Sequence, residues 1–155
     1  NNHIQGSIAS RINIGLFYKD ELVSLLSLSK PRYNKKYDWE ITRFCNKINT
    51  KVHGSFSKLW KYFLEKNTGS VITYSDKRLF DGKVYQKHLS QLEDIHPGYH
   101  YLNSTGRHSR IEFQKHKLES KLELFDSNLT EWENMQLNGW DRIWDCGNHC
   151  FSLLR

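Results

Sequence analysis

The sequence has few cysteines, few prolines and no long apolar run. Its three cysteines are an odd number, which argues against a secreted scaffold held by disulfides. No apolar stretch approaches the roughly 20 residues of a membrane-spanning helix, and no signal peptide opens the chain. These absences predict a cytoplasmic protein that does not associate with membranes.

Nuclease and metal-binding motifs are also missing. A metal-dependent PD-(D/E)xK nuclease needs an Asp and a Glu-x-Lys on adjacent strands. The Glu-x-Lys of this chain, Glu119–Lys121, lies in a charged segment with helical spacing, and no HNH or GIY-YIG pattern is present. The segment Cys146–Cys150 lacks the spacing of a zinc knuckle, so we expect no metal site. The chain opens at Asn1 without Met, and we expect it to be a fragment that does not itself cut DNA.

Basic and aromatic residues, in contrast, are frequent. There are 23 Lys and Arg against 17 Asp and Glu, a formal net charge of +6, and 14% aromatic residues. This composition is typical of nucleic-acid-binding surfaces, which neutralise phosphates and stack bases. A solvated charged face around an aromatic core is the simpler alternative. The residues that we expect to contact DNA are Lys30, Arg32, Tyr33, Lys35, Lys36, Arg43, Lys51, Lys58, Arg107, Arg110, Lys115 and Lys117.

The first half of the chain predicts a hairpin, a strand, a helix and another strand. The hairpin joins Ile12–Tyr18 to Leu22–Ser29 through a charged turn. Alternation over Tyr37–Cys45 predicts a strand with Trp39 and Ile41 on one face and Glu40, Thr42 and Phe44 on the other. Apolar residues at helical spacing then predict a helix over Ser55–Lys66, and Val71–Tyr74 reads as a buried strand.

The second half predicts three helical segments and short strands. The helices cover Lys83–Leu92, Ile111–Phe125 and Glu131–Leu137, the last with Thr130 as N-cap. A strand is expected at Tyr99–Leu102, and a terminal hairpin is expected to join residues 142–147 to 150–154. The whole order predicts one α+β domain over residues 1–155, with a mixed, mostly antiparallel central sheet flanked by helices.

Two constellations have the residue types that catalysis or anion binding requires. In the first, the loop that leads into a helix at Gly54–Lys58 has backbone amides that could bind an anion. An ordinary helix N-terminus capped by Ser explains the same residues equally well. The second set is His3, Asp76 and Tyr85. Asp76 has the chemistry to orient or deprotonate an amine, and Tyr85 to protonate a leaving thiolate. The alternative is structural: Asp76 caps the next loop and Tyr85 packs in the core.

These motifs resemble one protein family. The strand end Tyr74-x-Asp76, the following Gly82-x-x-Tyr85-Gln and the early His3 resemble the Mom-like DNA-modification branch of the GNAT acyltransferase superfamily. With Lys30-Pro-Arg-Tyr-Asn and residues 130–147, the chain is similar to the C-terminal domain of phage homing endonucleases, including Vsr-like ones. The resemblance implies a GNAT-like fold that holds or recognises double-stranded DNA in a bacterial host cell.

Three functions stay open at this point. The first is a DNA-recognition domain without cofactor, in a parent protein that is a DNA endonuclease. The second is a Mom-like enzyme that uses acetyl-CoA to modify a nucleobase, with His3, Asp76 and Tyr85 as its catalytic residues. An open acyl-CoA cleft at Gly54–Lys58 would favour this enzyme. The third is a GNAT-like module that contacts only a protein partner.

Overall fold

The protein is an α+β fold, as the order of elements predicts. The computed structural model describes residue 3 and residues 6–155. The strands within this part are β1 Ile12–Tyr18, β2 Glu21–Ser29, β3 Trp39–Asn46, β4 Val71–Asp76, β5 Ser90–Gln91, β6 Tyr99–Asn103, β7 Gly106–Ser109, β8 Asp141–Trp144 and β9 Asn148–Leu153. The helices are α1 Ser55–Lys66, α2 Lys83–Gln86, α3 Lys115–Leu118, α4 Glu131–Leu137 and the 3₁₀ helix Arg110–Phe113.

The contacts divide the chain into two compact units. Unit 1 comprises the residues up to Ile95 together with Asn148–Arg155, and unit 2 comprises His96–Gly147. Unit 1 contains a six-stranded sheet in the order β1-β2-β3-β4-β9-β5, and unit 2 contains a three-stranded sheet in the order β7-β6-β8. Within the larger sheet β3 and β4 are parallel and the other pairs are antiparallel. The expected mixed, mostly antiparallel sheet is therefore confirmed.

The core of unit 1 forms between the sheet and α1. Phe56, Leu59, Trp60 and Phe63 recur at helical spacing and are all buried. They pack on aliphatic strand residues such as Ile41. The helix ends where the N–H of Asn67 donates to the carbonyl of Phe63 at 3.0 Å. The predicted helix bounds, Ser55–Lys66, are confirmed. The helix is stable there because its apolar face packs on the sheet.

A bulge in β3 changes which of its side chains face the core. The β2–β3 ladder skips Thr42, which shifts the alternation of the residues after it. Phe44 consequently packs with Ile41 in the core, where its ring centroid lies 5.1 Å from that of Phe56. The predicted placement of Phe44 opposite Ile41 is wrong, because strict alternation holds only for a strand without a bulge.

The core of unit 2 is smaller and largely aromatic. Its buried side chains are Tyr101, Phe113, Leu118 and Met135, with half-buried tryptophans packed around them. Helix α4 begins at a capping box in which Thr130 and Glu133 bond each other's backbone N–H groups. The predicted N-cap is therefore confirmed.

Two predicted helices are much shorter in the structure. The segment Lys83–Leu92 has helix only at Lys83–Gln86, because Ser90 and Gln91 pair with β9 as an edge strand. The segment Ile111–Phe125 is interrupted at Gln114, whose backbone is extended at φ −62° and ψ 143°. Tertiary pairing and packing overrode the local helical spacing in both places.

The predicted terminal hairpin is wrong, and one strand was not predicted. Residues 141–144 pair with β6 in unit 2, whereas residues 148–153 pair with β4 and β5 in unit 1. The unpredicted strand β7 forms a hairpin with β6. Its sequence, Gly-Arg-His-Ser, has too little apolar character to indicate a strand.

Candidate functional site

A cleft opens in unit 1 where the two parallel strands separate. Strands β3 and β4 pair only at Trp39–Ile41 with Val71–Thr73, along two segments that the structure fully describes. Beyond that point Thr42–Asn46 and Tyr74–Asp76 form the two walls of a cleft of about 990 Å³. Polar groups at the ends of both strands therefore face a common space.

All three predicted catalytic residues line this cleft. His3 comes from the N-terminal segment, Asp76 from the end of β4 and Tyr85 from α2. Arg32, Tyr33 and Arg43 of the predicted DNA-binding set line it as well. The structure thus brings together residues that are far apart in sequence, which motif spacing alone did not establish.

The Asp76 carboxylate closes the loop that follows β4. It accepts a hydrogen bond from the backbone N–H of Arg78 at 2.9 Å, and one of its oxygens lies 3.4 Å from the Arg78 guanidinium. The backbone carbonyl of Asp76 accepts hydrogen bonds from the N–H groups of Leu79 and Phe80. These contacts are those of the structural alternative, and they occupy part of the carboxylate's accepting capacity.

Tyr85 is held among aromatic rings and one hydroxyl. Its ring centroid lies 5.3 Å from that of Phe56 and 5.6 Å from that of Phe151. Burial raises the pKa of Tyr85, while a side-chain hydrogen bond with Thr73 acts in the opposite direction. The Thr73 hydroxyl also donates to the carbonyl of Ile41 at 3.1 Å. Tyr85 is therefore a protonated phenol near neutral pH.

His3 and Arg43 lie together at the cleft. Burial, with the charge of Arg43, lowers the pKa of the His3 imidazole, which favours its neutral form. Burial and the charge of Arg32 lower the pKa of Arg43. The Arg43 guanidinium donates to the carbonyl oxygens of Gly6 at 3.1 Å and Thr42 at 2.6 Å. Arg43 thus has backbone partners in addition to its position on the cleft.

An ion pair between Arg32 and the buried carboxylate of Glu40, which the sequence patterns did not indicate, anchors the basic loop at residues 30–36. Glu40 on β3 is fully buried and accepts two bonds on Oε1 from the Arg32 guanidinium, at 2.6 and 2.8 Å. Its Oε2 accepts the backbone N–H of Arg32 at 2.7 Å. Arg32, expected to contact DNA, is therefore first an anchor for its own loop. One sequence feature could have suggested this role: Glu40 stands between Trp39 and Ile41 in a strand segment that is otherwise apolar.

Two tyrosines meet edge to face at the cleft. The ring centroids of Tyr33 and Tyr74 are 6.1 Å apart, and Tyr33 is 75% exposed. Burial, with the neighbouring Cys150 and Glu40, raises the pKa of Tyr74 to about 12. Tyr33 therefore presents a largely uncovered aromatic ring beside the cleft.

The remaining predicted contacts of unit 1 are exposed lysines. Lys36, Lys51 and Lys58 are exposed, the last on α1. The Lys30 ammonium lies 5.3 Å from the ring centroid of Trp39, and the Lys35 ammonium donates to the carbonyl of Pro31. Lys30, Lys35 and Lys36 belong to the anchored loop, and Lys51 and Lys58 belong to the α1 region. None of these five lysines, all described by the structure, lines the cleft.

The predicted contacts of unit 2 have varied environments. Arg107 and Lys115 are exposed. Lys117 donates to the carbonyl of Ile111 at 2.9 Å and to Gln114 at 3.0 Å. The guanidinium carbon of Arg110 lies 4.7 Å from the ring centroid of Tyr99. This second basic group is therefore partly engaged in contacts within its own unit.

The loop and helix start proposed as an anion cradle do not face the cleft. None of the residues Gly54–Lys58, all described by the structure, lines it. Ser55 donates to the Asn46 side chain at 3.2 Å, and Ser57 hydrogen-bonds His88 at 2.8 Å. The cleft has room for an acyl group, but the residues expected to hold the pyrophosphate of acetyl-CoA lie outside it.

Other kinds of site receive no support within the described part of the chain. Residue 3 and residues 6–155 contain no group of three or more His, Cys, Asp or Glu side chains arranged to hold a metal ion. No helix formed by these residues has the length and apolar character needed to cross a bilayer.

Comparison with known proteins does not assign the chain to a family. No protein-family model matches it, and no curated protein matches it. The functional assignment therefore depends on the residues of the cleft and of the basic segments.

Proposed function

We propose that the chain is a DNA-binding domain that contacts duplex phosphates through the basic loop at residues 30–36. The observation that carries the proposal is the anchoring of this loop by buried Glu40 through Arg32. A basic loop that is already ordered pays less conformational entropy when it binds. Tyr33 adds an exposed ring, and the net charge of +6 favours a polyanionic partner.

The proposal also draws on the resemblance of Tyr74-x-Asp76 and Gly82-x-x-Tyr85-Gln to the GNAT superfamily. The central sheet has one parallel pair, and its two strands separate around a cleft. In this proposal the chain recognises or holds target DNA for an endonuclease of the phage homing type. The nuclease chemistry belongs to another part of that protein.

A salt-dependent titration tests the proposal. Binding of a labelled blunt duplex to the purified chain is measured by anisotropy at several salt concentrations. We expect steep weakening with salt, and we expect Lys30→Gln with Lys36→Gln to reduce the slope of log K against log salt by about 2. Lys19→Gln, at the exposed tip of the first hairpin, is the matched control. Absence of salt-dependent duplex binding would overturn the proposal.

The second candidate is a Mom-like enzyme that modifies a nucleobase, and the shared cleft of His3, Asp76 and Tyr85 favours it. The raised pKa of Tyr85 keeps it in the proton-donating form that an acid requires. The residues Gly54–Lys58 do not fit a pyrophosphate cradle facing this cleft. The enzyme therefore has weaker support than the binding domain.

Incubation of the chain with acetyl-CoA and duplex DNA, followed by mass analysis of the nucleosides, tests this candidate. Asp76→Ala must abolish any turnover. Asp76→Asn is the matched variant, because an amide oxygen still accepts the N–H of Arg78 while the carboxylate is lost. A modified nucleoside formed by the wild type and by neither variant would favour the enzyme. Turnover that survives both substitutions would contradict the proposed role of Asp76.

A further inference from the structure

Unit 2 has an exposed tryptophan that the proposed function does not use. Trp144, on β8, is 58% exposed. The other four tryptophans, all of them described, are buried or half-buried: Trp39, Trp60, Trp132 and Trp140. Strand β8 pairs with β6 on one side only, so Trp144 lies on an edge strand of the small sheet.

Trp144 is the exposed end of a run of planar groups. Its ring centroid lies 5.0 Å from that of Tyr99, its direct cross-strand partner. The guanidinium carbon of Arg142 lies 4.4 Å from the Tyr99 centroid and 4.1 Å from the Trp132 centroid. The Trp144 ring is therefore supported by neighbours that are themselves packed, and it loses little conformational freedom when a ligand stacks on it.

A cation lies beside this ring system. The guanidinium carbon of Arg110 is 4.7 Å from the Tyr99 centroid, and its side chain is 57% exposed. The Glu131 carboxylate accepts the phenol protons of Tyr99 at 3.2 Å and Tyr101 at 2.7 Å, and lies 3.8 Å from Arg110. Arg110 and Arg142 thus place two cations beside the Tyr99 ring. The nearby carboxylates are Glu131 and Asp145, and Asp145 is occupied by the N–H groups of Gly98 and Gly147.

We propose that Trp144, Tyr99 and Arg110 form a binding surface for single-stranded DNA. An unpaired base stacks on Trp144, and Arg110 contacts the adjacent phosphate. Aromatic rings that bases stack on, next to cations that hold the backbone, are the recurring elements of single-strand binding. Bases of an intact duplex have their faces covered by neighbouring pairs and do not supply this contact. The inference rests on the proposed DNA binding and specifies that unit 2 binds DNA in its single-stranded form.

The test measures affinity of the whole chain for two probes, a labelled oligothymidylate and a labelled blunt duplex. We expect Trp144→Ala to weaken oligothymidylate binding by about 5- to 150-fold. Duplex binding should change little. Trp144→Phe keeps a stacking ring and should retain most of the affinity for the oligothymidylate, which separates loss of stacking from loss of folding.

Ile143→Ala is the matched control. Ile143 neighbours Trp144 in the same strand, is 45% exposed and points to the opposite face of the sheet. Its substitution should leave oligothymidylate binding unchanged. Thermal unfolding of each variant, followed by circular dichroism, checks that the fold is retained.

Several results would overturn the inference. They are no binding of oligothymidylate by the wild type, equal loss in the Trp144→Ala and Ile143→Ala variants, and equal loss on both probes. Tighter binding of oligouridylate than of oligothymidylate would overturn the assignment to DNA. Binding of single strands that depends on Trp144, without duplex binding, would support the inference while refuting the proposed function of the basic loop.

Discussion

The two units of the chain use different interactions to form their cores. Unit 1 buries aliphatic and aromatic side chains between a six-stranded sheet and α1. Unit 2 has a core of only four buried hydrophobic side chains among its described residues, together with a buried Asn134 and an Arg142 packed on three aromatic rings. The shorter segment thus supplements a small apolar core with hydrogen bonds and cation–π contacts.

This difference explains where each unit carries its candidate function. In unit 1 the strongly packed sheet allows two strands to separate and leave a cleft lined by both polar and apolar side chains without loss of the core. In unit 2 the same side chains that stabilise the core, Tyr99 and Arg142, also support the exposed Trp144. Substitutions in unit 2 are therefore expected to affect stability and binding together more often than those in unit 1.

The largest expected effect is a cavity in the core of unit 1. Phe63 is 1% exposed and stacks on Trp60 with ring centroids 5.5 Å apart. Phe63→Ala should lower the free energy of unfolding by about 3–5 kcal/mol. Unfolding in guanidinium chloride measures the loss of free energy. Peptide-resolved hydrogen exchange should show faster amide exchange in unit 1. Tyr62→Ala, 52% exposed on the same helix, is the control and should stay within about 0.5 kcal/mol of wild type.

The ion pair of Arg32 with the buried Glu40 in unit 1 gives the next largest effect. Arg32→Met leaves the fully buried Glu40 carboxylate without its charged partner and should cost about 3 kcal/mol. Urea unfolding measures the loss. The double substitution with Glu40→Met should recover much of this stability, because a pair of apolar residues needs no charge compensation. A single variant as stable as wild type would contradict the anchoring role of Arg32.

The hydrogen-bonded core of unit 2 should respond less strongly. Asn134 accepts the N–H of Asp126 at 2.8 Å and donates to the carbonyls of Asp126 and Thr130. Asn134→Ala removes these hydrogen-bond partners and should lower the unfolding free energy of unit 2 by about 2 kcal/mol. Hydrogen exchange of the amides of unit 2 measures this loss. Gln136→Ala, at an exposed position of the same helix, should have little effect. Equal values for the two variants would show that Asn134 does not stabilise unit 2.

The hairpin turns of the two units predict effects of opposite sign. Lys19 and Asp20 both have positive φ, 47° and 61°, which side-chain-bearing residues adopt at a cost. Lys19→Asn with Asp20→Gly suits this turn and should stabilise unit 1 by about 1 kcal/mol. Gly106 already occupies the position with φ 128° in unit 2, and Gly106→Ala should destabilise by about 1 kcal/mol. Thermal unfolding checks both, and two changes of the same sign would contradict the turn geometry.

The smallest effect concerns acid stability in both units. Hydrogen bonds from the backbone and side chain of Ser70 lower the pKa of Asp38 below 3.8, and those from Thr130 lower the pKa of Glu133 below 4.5. A carboxylate whose pKa is lower in the folded protein than in the unfolded chain stabilises the fold above its unfolded-state pKa. This stabilisation is lost as the pH falls through the folded-state pKa. Urea unfolding from pH of about 5 to about 3 should therefore show a loss that is smaller in Asp38→Asn and in Glu133→Gln.

The fold could be predicted where local pattern and tertiary packing agree. The first hairpin, α1 and the Thr130 cap follow from alternation, helical spacing and capping chemistry, and the structure contains all three. The two long helices predicted at Lys83–Leu92 and Ile111–Phe125 form only as short helical turns. Pairing of Ser90 and Gln91 with β9 competes with helix there, and spacing within one segment cannot reveal a partner strand that lies far along the chain.

The candidate site was predictable only in part. Sequence motifs predict His3, Asp76 and Tyr85 as site residues, and all three line one cleft. Their hydrogen bonds were not predictable, and neither was the role of Glu40, which pairs with a loop residue eight positions earlier. Whether a charged side chain anchors a loop or faces a ligand depends on burial, which a charge pattern does not record.

The amino-acid sequence by itself determined the α+β class, the basic and aromatic character and most elements of unit 1, because these depend on local periodicity and composition. Only the tertiary structure decided that residues 96–147 form a compact unit with its own sheet and that β8 and β9 belong to different sheets. It also decided that β3 and β4 separate to form a cleft. These features arise from pairing between distant residues, whose free energy depends on contacts that no local pattern contains.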